Sequence, residues 1–427
     1  MLWSQNYHCV RPCIKRRQAS VIERYLANYA EPEAQALASA YTLPENLNGK
    51  PLHDTRVWQG CLVIPAFDEI FEPLHRQLTS LASADVLIIL VINAPEDANP
   101  RAIADTQMLL KQLYEQDYDH VIVVDRASDG LRLNPKHGVG LARKIGCDLA
   151  LALRFAGRLR SDWVLQSDAD VVFPAGYTDL LQACSSDDSA GARIFPHRHY
   201  SSDPTLHYAG QLYDQHMSYY VAGLAMAGSR YAHHSLGSTV AVHAKSYAAV
   251  RGYPKRSAGE DFYLLNKLRK LAPVQRLQGP TLSIEARISA RVPFGTGPAL
   301  RKIVESLAAD PSGSSYLSYH PTCFRLLGSA LDALNQWAEE PHKAIHSDVS
   351  RRLSTLGFDG FAGGLSKQQT SRAHRHRSVH DWFDGLKTLQ FIHGCQETYA
   401  DQSLTRTLAN LESAFRAKVF EFQTNSG

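Results

Sequence analysis

Two carboxylates one residue apart, in Ser167-Asp168-Ala169-Asp170, directly follow the apolar run Trp163–Gln166. That run reads as a strand. In extended backbone, residues i and i+2 point the same way, so Asp168 and Asp170 can converge on one hard cation. A Mg²⁺ or Mn²⁺ held in this way keeps positions open for substrate phosphates and acts as Lewis acid and template for a diphosphate leaving group. The plainer reading is a polar turn with Asx capping. Placement at the carboxyl end of a strand in an α/β sheet favours the metal, because ligands bind there. A second acidic pair, Glu260 and Asp261 after Gly259, opens a helical run. A carboxylate there can take a proton from a hydroxyl as general base, although acidic residues also simply cap helices.

Two loops carry further chemistry. Pro65-Ala66-Phe67-Asp68-Glu69 closes the first strand. Its aromatic can stack on a nucleobase while Pro and Ala allow close backbone approach; otherwise it is a strand-to-helix turn capped by Asp68. His137-Gly138-Val139-Gly140-Leu141-Ala142-Arg143-Lys144 opens a helix. There the glycines can expose N–H groups, and Arg143 or Lys144 can reach a phosphate. With no third glycine in register it is not a dinucleotide fingerprint, and a glycine-containing lead into a core helix explains it as well. His197, His199, His207, His233, His234 and His243 cluster between the acidic motifs and receive no role. Arg372, His374, Arg375, His376 and Arg377 form a basic run that reads as a solvated loop.

The elements that position these motifs alternate in type. Cys61–Pro65, Val86–Asn93, Val121–Asp125 and Trp163–Gln166 are of strand length, and continuous aliphatic runs suit a sheet buried on both faces. Between them, Glu69–Ala82, Ala102–Gln116 and Gly138–Phe155 carry helical spacing. Alternation of this kind predicts βαβ units and a doubly wound, mostly parallel α/β sheet. Gly237–His243 reads as a further strand and Asp261–Leu271 as a helix, whereas Phe195–Ser235 is irregular. After about Gly297 only helical periodicity remains, at Phe324–Ala338 and Leu404–Val419, with Ser347–Arg377 the least ordered-looking stretch. The expected organisation is an N-terminal, partly helical extension over 1–58, a catalytic domain over 59–297 and a helical appendage over 298–427.

Composition bounds the class. At 427 residues with 44% hydrophobic and 20% charged residues, the chain is an ordinary globular protein of two or three folding units. The 45 basic residues against 42 acidic ones give no net-charge signal for nucleic acid or an anionic membrane. The longest uncharged apolar runs, Val86–Ala94 and Tyr219–Gly228, fall far short of the ~20 residues of a membrane span. No apolar run follows Arg11, Lys15, Arg16 and Arg17, so no signal peptide is expected. The seven cysteines (9, 13, 61, 147, 184, 323, 395) lack metal-site spacing and read as reduced thiols of a cytoplasmic protein.

The order of these motifs resembles glycosyltransferase family 2 enzymes of the GT-A fold. The matching positions are Pro65-Ala66-Phe67-Asp68-Glu69, Gly138–Arg143, the Asp168/Asp170 pair, and Arg251-Gly252-Tyr253 followed by Glu260-Asp261, over roughly 59–297. The resemblance implies a nucleotide-diphospho-sugar donor held by Pro65, Ala66, Phe67, Glu69, Asn93 (or Asp97), Gly138, Arg143 and Asp168. It further implies a Mg²⁺ or Mn²⁺ on Asp168 and Asp170, Asp261 as base with Glu260 as fallback, and inversion at the sugar carbon. The acceptor, a small molecule or glycan, falls to Phe195–Ser257 and the helical tail. Ile92-Asn93-Ala94-Pro95 stands where the family commonly has acidic residues and serine. Arg287-Ile288-Ser289-Ala290-Arg291 and Phe294-Gly295-Thr296-Gly297 stand where processive members carry Q/RxxRW. A non-processive transferase moving one sugar is therefore expected.

Soluble mannosylglycerate-synthase-like enzymes share this layout and retain configuration, which leaves the stereochemistry open. Asp168-Ala169-Asp170-Val171-Val172 also fits the nucleophile pattern of haloacid-dehalogenase-like phosphatases, with Asp168 attacking phosphorus and Asp170 as acid/base. That fold normally begins with this strand, however, and here three α/β units precede it. Sugar nucleotidyltransferases need a Gly-rich signature that Pro65–Glu69 is not. The remaining rival is a non-catalytic nucleotide-sugar sensor.

Overall fold

The structure is a computed structural model that describes residues 19–40, 47–48, 56–185, 189–289, 295–341, 345, 347–368 and 370–423. Cys9, Cys13, Ala290, Arg291 and Phe294 and the basic N-terminal positions of the sequence reading lie outside the described residues. The strands in chain order are β1 (Leu47–Asn48), β2 (Gly60–Ala66), β3 (Val86–Asn93), β4 (Val121–Arg126), β5 (Trp163–Gln166), β6 (Val171–Val172) and β7 (Ala192–Ile194). They continue with β8 (His197–Tyr200), β9 (Val240–His243), β10 (Val274–Arg276), β11 (Leu282–Glu285), β12 (Leu317–Ser318) and β13 (Gln402–Ser403).

Among the described residues, eight strands form one sheet in the order β1-β4-β3-β2-β5-β9-β7-β10. The run β4-β3-β2-β5 is parallel, and β9 lies antiparallel between β5 and β7. This is the doubly wound, mostly parallel α/β sheet that the alternation predicts. Every residue of β2 and β3 is buried, as continuous aliphatic strands covered on both faces must be. Alternate residues serve opposite layers. Cys61, Val63, Leu87 and Ile89 pack under the helix Gly138–Phe155 and the N-terminal helices Val21–Asn28 and Pro32–Ala40. Leu62, Ile64, Ile88 and Leu90 pack under Phe71–Ser80 and Pro100–Tyr114. Gly146 makes the first layer tight: a Cβ there would stand 2.3 Å from Val63 Cγ1.

A small second sheet, β6-β11-β8, extends from the acidic motif. Against it lies Pro204–Met226, a 23-residue helix inside the stretch read as irregular. Its start is signalled by Asp203-Pro204, with Asp203 capping the Leu206 N–H at 2.8 Å. Gly237–His243 divides into a 3₁₀ turn, Gly237–Thr239, and β9.

After residue 295 the chain is almost wholly helical. Contrary to the expectation of disorder, 347–377 contains the helices Ser347–Thr355 and Phe358–Ser366 and the start of Arg372–Trp382. Nor is the basic run a solvated loop. It lies on that last helix, and Arg375 donates to the carbonyls of Ala338, Glu339 and Thr370, closing the end of the helix Pro321–Glu339. Phe358, Phe361 and Trp382 pack ring against ring beneath it, which gives this composition its core. The periodic stretch near the end breaks into Leu404–Ala409 and Ser413–Phe422. Cys61, Cys147, Cys184, Cys323 and Cys395 are buried free thiols. Among the described residues, no helix is long and apolar enough to cross a membrane.

The N-terminal helices are anchored by polar contacts as well. Asp148, fully buried, accepts from Tyr25 Oη at 2.5 Å, Tyr247 Oη at 3.0 Å, Lys144 Nζ at 2.7 Å and the Glu31 N–H at 2.8 Å. Burial raises its carboxyl above the usual range, and the Lys144 ammonium opposes this. Gly252, in the left-handed region at φ 70°, leaves room for the two tyrosine hydroxyls.

Candidate active site

Because β2, β3 and β5 run parallel, Ala66, Asn93 and Ser167 end on one edge of the sheet. Pro65 sits in a central strand, yet β5 stops pairing at Val63↔Gln166, so the N–H that Pro65 lacks falls beyond the ladder. Asn93 is buried and donates to the Ala66 carbonyl at 3.4 Å, tying the two strand ends together. Phe67 is partly buried beside the sheet core. Asp68 takes the left-handed conformation at φ 56° and donates its N–H to Thr106 Oγ1, turning the chain sharply.

The acidic motifs meet at Arg143. Its guanidinium is 3% exposed and donates from Nη2 to Asp168 at 2.5 Å, from Nε to Glu260 at 3.0 Å and from Nη1 to the Ser167 carbonyl at 3.3 Å. The planar guanidinium presents its donors as a rigid fork, which fixes the relative placement of the three acceptors. Asp261 Oδ2 accepts the Gly237 N–H at 2.9 Å, and Oδ1 takes the Phe262 N–H at 2.6 Å. Gly237 is needed there because a Cβ would stand 2.6 Å from Arg143 Nη2. Three carboxylates thus face one buried guanidinium. Burial first, then the Asp261 charge, pushes Glu260 up to about 7 against the relief from Arg143. Asp261 is also raised, chiefly by burial. Asp261 is the more open of the two, Glu260 being 5% exposed.

A second arginine joins the opposite pieces. Arg287 makes a two-pronged ion pair with Glu69 at 2.8 and 2.6 Å and reaches Asp170 at 2.9 Å. Glu285 N–H donates to the Asp170 carbonyl, so β11 carries Arg287 to the acidic motif. The sequence singled out neither Arg287 nor Gly237: Arg287 and Glu69 lie 218 positions apart, and only the fold brings them together.

The glycines of the helix start have another use than exposing amides to a phosphate. Gly140 N–H donates to the Arg256 carbonyl at 3.0 Å, and a Cβ there would meet the Pro254 and Arg256 carbonyls at 2.6 Å. At Gly138, φ 39°, a Cβ would lie 2.7 Å from Ser257 Cα. Both admit the chain that leads into Glu260. Arg143, read as a phosphate contact, instead spends its donors on the carboxylates. Lys144 is buried on the far side with Tyr25 and Asp148. Asp97 is exposed.

As a cation site, Asp168 and Asp170 supply two hard oxygen-bearing groups, with the Asp168 side chain 38% exposed and that of Asp170 15%. Among the described residues no cluster of three or more side chains is poised to hold a metal. Both carboxylates are also paired, Asp168 with Arg143 and Asp170 with Arg287, so two side chains alone would leave most of a Mg²⁺ or Mn²⁺ shell to phosphate oxygens and water.

No protein-family model and no curated protein matches this sequence. Among solved structures, the chain is similar to S. aureus TarS residues 1–349 in complex with UDP-GlcNAc, at 12% identity over 79% of this chain and 91% of that one, TM-score 0.38. It is also similar to the mannosyltransferase PcManGT from Pyrobaculum calidifontis in complex with GDP-Man and Mn²⁺, at 13% identity over 88% and 98% of the two chains, TM-score 0.35.

Proposed function

We propose that this protein is a non-processive, metal-dependent glycosyltransferase that moves one sugar from a nucleotide-diphospho-sugar donor to a hydroxyl acceptor with inversion, in the cytoplasm. The observation that carries the reading is the gathering of Asp168, Glu260 and Asp261 around Arg143 and Gly237 at the carboxyl edge of the parallel strands. That edge is where an open α/β sheet takes its ligand.

On this reading the nucleotide lies over the ends of β2 and β3, against Phe67 and Asn93, and its diphosphate points toward Asp168 and Asp170. A bound Mg²⁺ or Mn²⁺ supplies Lewis-acid stabilisation of the leaving diphosphate. Asp261 takes the proton of the acceptor hydroxyl as that oxygen attacks the anomeric carbon and the bond to the diphosphate oxygen breaks. Its raised pKa makes it a stronger base than a surface aspartate. Glu260 is held by Arg143 and stays behind it as a positioning group. Arg287 neutralises Glu69 and Asp170 before a cation arrives.

The test is thermal stability against nucleoside diphosphates and nucleotide sugars, with and without Mn²⁺. A ligand at about 100 times its Kd adds about 2.7 kcal/mol. A shift requiring both one nucleotide and the metal supports the reading, and no shift with any combination refutes it.

A further inference from the structure

A concavity of about 1120 Å³ lies next to this site, lined by none of the residues gathered around Arg143 and Arg287. Its wall starts where the acidic motif ends. Val172, in β6 directly after the turn that holds Asp170, lies in register with Ser283 and, across β11, Arg198. All three line the cavity. The opposite wall comes from Pro204–Met226, and the rim from the helix Ser413–Phe422.

The lining chemistry is specific. Asp214 grips His199 twice, accepting its N–H at 2.7 Å and pairing with Nδ1 at 2.6 Å. The carboxylate selects the tautomer protonated at Nδ1, which leaves Nε2 an acceptor, and Nε2 has no protein partner although the side chain is fully buried. Gly210 admits this ring, since a Cβ would stand 3.0 Å from His199 Cβ. Burial lowers His197 to about 4 and His234 well below its ordinary value, so both are neutral at pH 7 and each offers one donor and one acceptor. Gln211, Gln215, Ser218 and Ser283 add groups that likewise donate and accept. Arg198 and Asp214 are of opposite charge, so the wall favours no ion of either sign. At the rim Phe420 is 69% exposed beside Phe422, an apolar face left open to solvent.

Two-way hydrogen bonders in a wall with no excess of either charge, with an aromatic face at the mouth, match a ligand rich in hydroxyls yet carrying flat C–H faces. We infer that this cavity is the acceptor site and that the acceptor is a neutral oligosaccharide, with Phe420 under one ring and His199 Nε2 receiving a hydroxyl proton. Its volume lies above the ~300–1,000 Å³ of ordinary small-molecule pockets, so it suits several sugar units. The role as acceptor site rests on the transferase reading; the saccharide chemistry rests on the cavity alone.

The test is saturation-transfer NMR on the full chain with neutral gluco-, manno- and galacto-oligosaccharides and with uronic-acid oligosaccharides, alongside titration with UDP and GDP plus Mn²⁺. The expected result is binding of at least one neutral series, weakened at least tenfold by Phe420→Ala and by His199→Gln, with nucleotide affinity unchanged. Phe420 is exposed, so its loss leaves the fold intact even if the His199 variant does not. No neutral saccharide binding, binding of acidic oligosaccharides only, or undiminished binding in Phe420→Ala overturns the inference. Nucleotide binding without saccharide binding does so while leaving the transferase reading standing. Saccharide binding without nucleotide binding overturns the acceptor role.

Discussion

Replacing Arg143 with methionine, similar in length and uncharged, removes the cation that joins Asp168 to Glu260. Already in the native protein Glu260 sits near 7 against an ordinary 4.5. Carrying its charge above that pH therefore costs the fold about 3 kcal/mol, at ~1.36 kcal/mol per pKa unit. For a raised carboxyl the stability is fully present below the unfolded value and is lost as pH climbs from 4.5 to about 7. Without Arg143 the Glu260 pKa rises further, because the guanidinium is what lowers it. Near pH 6 Glu260 holds its proton in both proteins, so the variant loses the guanidinium's hydrogen bonds to Asp168, to Ser167 and to a neutral Glu260, about 2–3 kcal/mol. Near pH 8.5 a buried carboxylate is left unpaired or must stay protonated, and the loss grows to about 3–5 kcal/mol. Urea unfolding at the two pH values measures the difference. A destabilisation that is equal at both, or smaller at the higher pH, refutes the reasoning.

Three further outcomes are expected. Asp261→Asn lowers initial transfer rates by about 10²–10⁴ while calorimetry finds donor affinity unchanged, and wild-type kcat/KM climbs with pH along a limb set above the usual carboxylate range. Asp170→Ala abolishes the Mn²⁺-dependent part of nucleoside diphosphate affinity; the same metal-dependent affinity in titrations of both proteins would exclude Asp170 as a ligand. Gly252→Ala, at φ 70° with its Cβ placed 2.4 Å from Tyr25 Oη, loses at least ~2 kcal/mol and shows it as a lowered Tm.

The parallel strands were legible because burial on both faces demands continuous aliphatic runs, and Val86–Asn93 is one. The acidic motifs were legible because their spacing is local. What escaped depends on distant partners. Arg287 reads as an ordinary arginine until β11 sets it beside Glu69 and Asp170. Pro204–Met226 hides its period because it buries small and aromatic residues alike, against several neighbours at once, among them Ala209, Gly210, Leu212 and Tyr219. Phe358–Ser366 is rich in glycine, and it is helical because its two phenylalanines find Trp337 and Trp382. The glycines at 138 and 140 carry a packing role that their local spacing does not reveal. A local phosphate-loop reading was available, but the chain at Pro254–Ser257 fills the space they leave.

The buried cluster at Asp148 bears on how the chain is made. Tyr25 leaves the ribosome 123 residues before the aspartate that receives its hydroxyl, and Tyr247 follows 99 residues after that. At ~5–20 residues per second, the first helix waits roughly 10–45 s for its complete set of partners. Until Gly138–Phe155 and then Ala244–Ala249 have been made, Tyr25 and Leu26, both core residues of the finished protein, lack helices that they pack against. The N-terminal helices thus complete their packing late, although they are made before the elements that cover them.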